Sequence, residues 1–435
     1  MEAGHSSKGR VLSSAFAMDK LRITGGRRLK GRVAVAGAKN AALPALAATL
    51  LTEDRVELTN LPRVRDVRTM LRVLEQLGAE VVDRGDGSAS IHVARLRSFE
   101  APYDLVRTMR ASVLVLGPLL ARYGKARVSL PGGCAIGERP INLHIDGLHK
   151  MGAEIAIEHG YVEATAKRLH GAQIAFPQAT VTGTENLMMA AVLASGTTHL
   201  SNCAREPEIV DLAELLTAMG ASIAGAGTGE IDIEGGKPLH GATHRVIPDR
   251  IEAGTYLVAG ALAGDDVEVA GARRDHLEAF LTQLSACGVT VDETPGGLRV
   301  ATPSALTARD VRTGPHPGFP TDMQAQFMTL MTQAKGRAEI AETVFERRFM
   351  HVGELHRMGA DVRIDGRSAI VSGPTRLTGA QVMATDLRAS ACLVLAGLVA
   401  DGPTLVDRVY HLDRGYESME TKLSALGASI ERIRA

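Results

Sequence analysis

The sequence predicts an α/β fold built from six duplicated units grouped into two domains, and three observations carry that expectation. The first is a recurring tripeptide: Leu77-Gly78-Ala79, Met151-Gly152-Ala153, Met219-Gly220-Ala221, Cys287-Gly288-Val289, Met358-Gly359-Ala360 and Leu426-Gly427-Ala428, with glycines spaced by 74, 68, 68, 71 and 68 residues. Each copy closes an amphipathic stretch and opens an alternating one. A helix stopped by a left-handed glycine and followed by a strand explains all six. A step near 70 is too long for a solenoid repeat. The second observation is a second helix in each unit, at 41–51, 112–121, 187–194, 254–263, 325–332 and 389–400, apolar on nearly every face and rich in Ala, Gly, Leu and Met. A helix apolar all round is buried on all sides, so six of them imply a helical centre wrapped by sheet. The third is the polarity of one end of these helices.

Those N-terminal ends carry Lys39 and Asn40; Arg107 and Arg110; Glu185 and Asn186; Asp249, Arg250 and Glu252; Asp322, Gln324 and Gln326; Asp386 and Arg388. Helix starts offer bare N–H groups and a positive dipole end, which suit phosphate. Such residues can also do no more than cap and solvate helices. Charge at the same end of six apolar helices favours a polar cleft between two three-unit domains. A turn and a strand are expected after each buried helix, as at 263–266 before Val267-Glu268-Val269. The run Gly225-Ala226-Gly227-Thr228-Gly229 reads as a hairpin turn, not a dinucleotide fingerprint.

Composition narrows the function classes. Lys plus Arg equals Asp plus Glu at 49 each, which argues against nucleic acid and against a polybasic membrane surface as partners. An anionic substrate would therefore be met by local clusters of Arg and Lys. Aromatic residues are 3% and Trp is absent, so the core is aliphatic. Cys134, Cys203, Cys287 and Cys392 show no metal-finger spacing, as expected of reduced thiols in a cytoplasmic protein. The longest apolar run, 389–400, is too short to span a bilayer. Residues 1–17 match neither the rest of the chain nor a signal peptide, and are expected to be a disordered extension or a cloning remnant.

Six strings then carry a family resemblance: 37–44 (Gly-Ala-Lys-Asn-Ala-Ala-Leu-Pro), 131–137 (Pro-Gly-Gly-Cys-Ala-Ile-Gly), 205–211 (Arg-Glu-Pro-Glu-Ile-Val-Asp), 319–324 (Phe-Pro-Thr-Asp-Met-Gln), 386–390 (Asp-Leu-Arg-Ala-Ser) and 413–416 (Asp-Arg-Gly-Tyr). From about Met18 onward the chain resembles the UDP-N-acetylglucosamine 1-carboxyvinyltransferases, members of the EPSP synthase-like enolpyruvyl transferases. The resemblance implies two inside-out α/β barrels of three repeats each. It assigns residues 18–38 plus 248–435 to one domain, the catalytic one, and 39–247 to a second that carries a lid loop with Cys134. It implies transfer of the enolpyruvyl group of phosphoenolpyruvate to the 3′-hydroxyl of UDP-N-acetylglucosamine, the first committed step of peptidoglycan synthesis. No cofactor and no metal belong to that scheme. His351 and His356, five apart, face different sides of a helix and make no zinc motif.

Phosphoenolpyruvate carries a phosphate and a carboxylate, so several cations must converge on it, with Arg suited to bidentate contacts. The resemblance implies Lys39, Arg110, Arg139, Arg348, Arg388 and Arg414 for that task, with Lys39 and Arg414 also catalytic. Asp322 is implied as the general base for the sugar hydroxyl; a helix cap is the plain alternative. Cys134, in a glycine-rich loop near Arg139, is implied as a reactive thiol in proton transfer to the methylene carbon and as the target of epoxide analogues such as fosfomycin. For the UDP-sugar the resemblance implies Asn40, the stretch from Arg139 to His144 (Pro140, Ile141, Asn142 and Leu143 within it), Val344, and a backbone-rich loop at 182–186 with Thr182 and Gly183. Two positions depart from the family: Asn142, where some members carry Asp, and Gln178 or Ala179, where some carry Lys. Alternatives are an enolpyruvyl transferase with another acceptor and a silent UDP-sugar-binding paralogue. The loop cysteine disfavours the shikimate 3-phosphate enzyme. Oligomeric state has no signature in the sequence.

Overall fold

The computed structural model describes residues 19–107, 109–130 and 141–434. Within them the six-unit pattern is repeated in detail. The amphipathic helices are α2 (Arg65–Leu77), α5 (Asn142–Lys150), α7 (Pro207–Ala218), α9 (Glu278–Ala286), α11 (Val352–Arg357) and α13 (Met419–Ala425). Each ends at its predicted glycine, with φ between 89° and 115° at Gly78, Gly152, Gly220, Gly288, Gly359 and Gly427. The amide after each glycine donates back to a leucine carbonyl one turn earlier. Ala79 donates to Leu74, Ala153 to Leu148, Ala221 to Leu216, Val289 to Leu284, Ala360 to Leu355 and Ala428 to Leu423, at 2.9 to 3.0 Å. This is the Schellman bond that satisfies an orphan carbonyl, and it needs a residue free to adopt positive φ.

Six four-stranded sheets share one order. In the sheet of Val56–Thr59, that strand pairs in parallel with Thr243–Arg245 on one side and antiparallel with Ala89–His92 on the other, and Ala89–His92 pairs antiparallel with Glu80–Asp83. The parallel edge strand comes from the end of the third unit, so three units close on themselves. The second set closes through the N-terminal strands: Leu29–Ala34 lies parallel to Gly264–Ala270, and Lys20–Thr24 lies between Pro403–Asp407 and Ser429–Ile433. The expected hairpin at 225–229 joins antiparallel strands Ser222–Ala224 and Glu230–Glu234.

The sheets enclose the apolar helices: α1 (Lys39–Ala48), α4 (Leu116–Tyr123) and α6 (Val181–Ala191) in one lobe; α8 (Arg250–Ala263), α10 (Gln324–Thr332) and α12 (Leu387–Val399) in the other. The short helix α3 (Tyr103–Val106) precedes α4. Buried apolar residues form two clusters, one from Ala38 to Val246, the other joining Leu21–Val33 to Ile251–Ala428. Small residues allow the central helices to approach closely: a Cβ on Gly117 would lie 2.4 Å from the Asn186 carbonyl oxygen. Two details differ from expectation. The helix expected at 112–121 is split, with a 3-10 stretch Arg110–Val115 before α4. No turn separates α8 from its strand; Gly264 begins the strand directly, with a bulge before Asp266.

Candidate active site

Three of the six buried helices receive a side-chain cap. Thr180 accepts from the Gly183 amide, Asp249 from Ile251 and Glu252, and Asp386 from Arg388 and Ala389. Asp249 and Asp386 therefore cap their helices, and the second oxygen of Asp249 also accepts from the Lys39 amide at 3.3 Å. Asp322 behaves otherwise. It lies in a 3-10 turn, Thr321–Met323, and neither this turn nor α10 has a side-chain cap. Its Oδ1 accepts from Arg348 Nη2 at 2.5 Å and its Oδ2 from Arg388 Nη2 at 2.8 Å. Burial opposes ionisation of Asp322, but the two guanidiniums overcome it and hold the carboxyl well below the usual carboxylate range. Both arginines are almost fully buried, whereas Asp322 keeps a quarter of its side chain exposed. Arg388 also lies over the Tyr416 ring, 5.5 Å from its centroid. The Tyr416 hydroxyl is fixed by Thr255 and Gln326 at 2.9 and 3.1 Å. Arg388 Nη1 is buried with no hydrogen-bond partner among the described residues.

A second carboxylate gathers cations across the two lobes. Asp66, in the first turn of α2, accepts from Lys39 Nζ at 3.3 Å and from Arg414 Nε and Nη2 at 3.0 and 3.3 Å. Arg414 lies 348 positions from Asp66 in the chain. Burial lowers the pKa of Lys39; Asp66 resists that, while the fields of Arg388 and Arg414 add to it. The Asp322 carboxylate acts on the same ammonium, so the two ion clusters belong to one electrostatic site.

A third group joins α5 to the start of α6. His144 is buried, and burial pushes its pKa down to about 4, so its ring is neutral at pH 7. Asn186 Nδ2 donates to His144 Nδ1 at 2.8 Å, which leaves the ring proton on Nε2, 3.3 Å from Thr182 Oγ1. Asn186 also donates to the Val113 carbonyl and accepts from the Gly117 amide. Leu143 belongs to the apolar core of this lobe and Ile141 packs against that core; Asn142 is exposed.

Of the expected site residues, the structure unites Lys39 with Arg414, Asp322 with Arg348 and Arg388, and Thr182 with the Ile141–His144 segment. Asn40 follows Lys39 in α1, Arg110 opens the 3-10 stretch before α4, and Val344 donates its amide to Glu342 Oε1 at 2.8 Å. Cys134, Arg139 and Pro140 lie outside the described residues. The other cysteines, Cys203, Cys287 and Cys392, are buried, and burial raises their thiol pKa. Several expectations are corrected. Residues 182–186 are not a loop but the opening turns of α6, with Thr184, Glu185 and Asn186 buried inside it. Gln324 and Gln326 are fully buried, and Gln326 donates to Thr255 and to the Tyr416 hydroxyl. Arg107 is exposed and pairs with Asp104 at 3.8 Å.

Asp66 was not foreseen. An acid in the first turn of a helix is ordinary, but Asp66, Met70, Val73 and Leu77 share one spacing, and all are buried. A carboxylate on the apolar stripe was the legible signal.

The fold and this arrangement define a class. A family model described as EPSP synthase (3-phosphoshikimate 1-carboxyvinyltransferase) matches residues 23–423, and the chain belongs to that family of carboxyvinyl transferases. Within it, a curated UDP-N-acetylglucosamine 1-carboxyvinyltransferase from Magnetococcus marinus is 59% identical over 417 residues, covering 96% of this chain and all of the relative. The resemblance carried by the motifs is thereby borne out. Among solved structures, the enolpyruvyl transferase NikO from Streptomyces tendae superposes with a TM-score of 0.87 at 27% identity, over 96% of this chain and all of that one. EPSP synthase from Acinetobacter baumannii shares the fold, with a TM-score of 0.74 at 20% identity over 96% of this chain and all of its own.

Proposed function

We propose that the chain transfers the enolpyruvyl group of phosphoenolpyruvate to the 3′-hydroxyl of UDP-N-acetylglucosamine and releases phosphate. The observation that supports this most strongly is the convergence of Lys39, Arg414, Arg348 and Arg388 on two aspartates, in a chain 59% identical to an enzyme of that name. Four cations against two carboxylates leave a net positive site for a phosphate and a carboxylate. Arg388 Nη1 is a desolvated donor still to be used, and a donor fixed in place before reaction needs little reorganisation.

In the scheme, Asp322 accepts the proton of the sugar hydroxyl as its oxygen bonds to C2 of the enolpyruvyl unit, while C3 gains a proton. The resulting ketal then loses a proton from C3, and phosphate leaves C2 with the C–O bonding pair. A carboxylate held ionised by two arginines is a weak base, but it is always unprotonated and its direction is fixed. Cys134 is assigned to proton transfer at C3, with Arg139 and Arg110 joining the anion site. The pair Thr182–Gly183 and the segment from Pro140 to Leu143, with Asn40 and Val344, hold the UDP-sugar. The two apolar clusters support the division near residues 38 and 248, with the lid loop belonging to the lobe of residues 39–247. No helix among the described residues is long and apolar enough to cross a membrane, and we place the protein in the cytoplasm with its two substrates. Phosphate release from phosphoenolpyruvate, with each acceptor offered in turn, tests the assignment. Release is expected with UDP-N-acetylglucosamine and not with shikimate 3-phosphate; no release with any acceptor would sink it.

A further inference from the structure

Glu342 is a carboxylate outside the ion clusters, 1% exposed, just after the strand Gly336–Ala341. A buried charge is retained only where its lone pairs are satisfied, and Glu342 is satisfied four times. Its Oε1 accepts from Thr313 Oγ1 at 2.9 Å and from the amides of Val344 and Phe345 at 2.8 and 3.1 Å. Its Oε2 accepts from Thr321 Oγ1 at 2.8 Å. A threonine hydroxyl has one hydrogen. Because Thr321 spends it on Glu342, its lone pairs are left to accept from Arg348 Nη1, at 2.9 Å. The other terminal nitrogen of Arg348 is the one that holds Asp322. A second route reaches the same guanidinium: the Phe345 backbone is pinned by Glu342, and the Phe345 ring flanks Arg348 at 5.0 Å.

We infer that Glu342 is a positioning residue for the reaction, which fixes the polarity of the Thr321 hydroxyl and the place of Phe345 and through both holds Arg348 against Asp322. This rests on the role proposed above for Asp322. Glu342 touches no reacting atom in the scheme; it acts through Thr321 and Arg348.

Glu342→Gln retains one acceptor oxygen for Thr313, Val344 and Phe345 but turns an amide donor toward Thr321. Thr321→Val removes the hydroxyl at constant shape, and Thr321→Ser keeps it. For Glu342→Gln and Thr321→Val, kcat is expected to fall about 10- to 100-fold, the scale of a small misplacement in a preorganised site. KM for the UDP-sugar should change little, and Thr321→Ser should stay close to wild type. Thr321→Val carries the test if Glu342→Gln fails to fold. Turnover of Thr321→Val equal to that of Thr321→Ser would overturn the inference. Crystal structures of wild type and Thr321→Val give a readout that needs no activity. Arg348 is expected to leave Asp322 in the variant, and an unchanged Arg348–Asp322 contact would overturn the inference. A wild-type enzyme inactive with UDP-N-acetylglucosamine would instead count against the proposed function.

Discussion

The starts of α8 and α10 are the same place in two copies of one duplicated unit, and each carries an aspartate, yet the two carboxylates do different work. Asp249 stands just outside α8 in extended conformation (φ −73°, ψ 106°), where its Oδ1 accepts from Ile251 and Glu252 at 2.8 and 3.0 Å. Asp322 sits inside an added 3-10 turn, where its side chain caps nothing and meets Arg348 and Arg388 instead. One extra turn of backbone withdraws the carboxylate from its own helix and gives it to the cleft. Duplication supplies the position, and local backbone geometry decides between stability and chemistry.

That contrast can be broken from either side. The largest effect is expected from Arg388→Met, which removes one of the two guanidiniums on Asp322 and the unused Nη1 donor. Loss of one preorganised donor costs roughly 10²- to 10³-fold in turnover, so kcat/KM for phosphoenolpyruvate should drop by about that much. Steady-state kinetics beside a melting curve would check it. A smaller, different effect is expected from Asp249→Ala. Losing an N-cap costs about 1 kcal/mol of stability, which lowers the melting temperature of a domain of this size by about 2–4 °C. Calorimetry should find that decrease, with turnover reduced far less than in Arg388→Met. A reversal of the two outcomes would mean the roles of the helix starts have been exchanged.

Much of the fold was legible because its punctuation is chemical. Each of the six glycines sits where the chain needs positive φ, and the all-apolar helices could only be interior. The site was legible in its cations, through strings such as Phe319-Pro320-Thr321-Asp322, and illegible in what holds them. Asp66 and Arg414 are brought together only by folding. Glu342 follows a strand, and only folding brings the hydroxyls of Thr313 and Thr321 against its carboxylate. The family resemblance implies a loop at 182–186, where the structure has the opening turns of α6. Glu185 and Asn186 are buried within the helix, where Asn186 bonds to Gly117 of α4 and His144 of α5. Spacing reports the period of an element. It does not report which polar side chain a neighbouring lobe will satisfy.

The role of Asp322 is tested most directly by Asp322→Asn, which keeps the shape and removes the charge. Phosphate release in a single turnover with both substrates should be slowed by about 10²- to 10⁴-fold, the range for loss of a general base, while calorimetric binding of UDP-N-acetylglucosamine is retained. Release within a few-fold of wild type would contradict the assignment of Asp322 as the base.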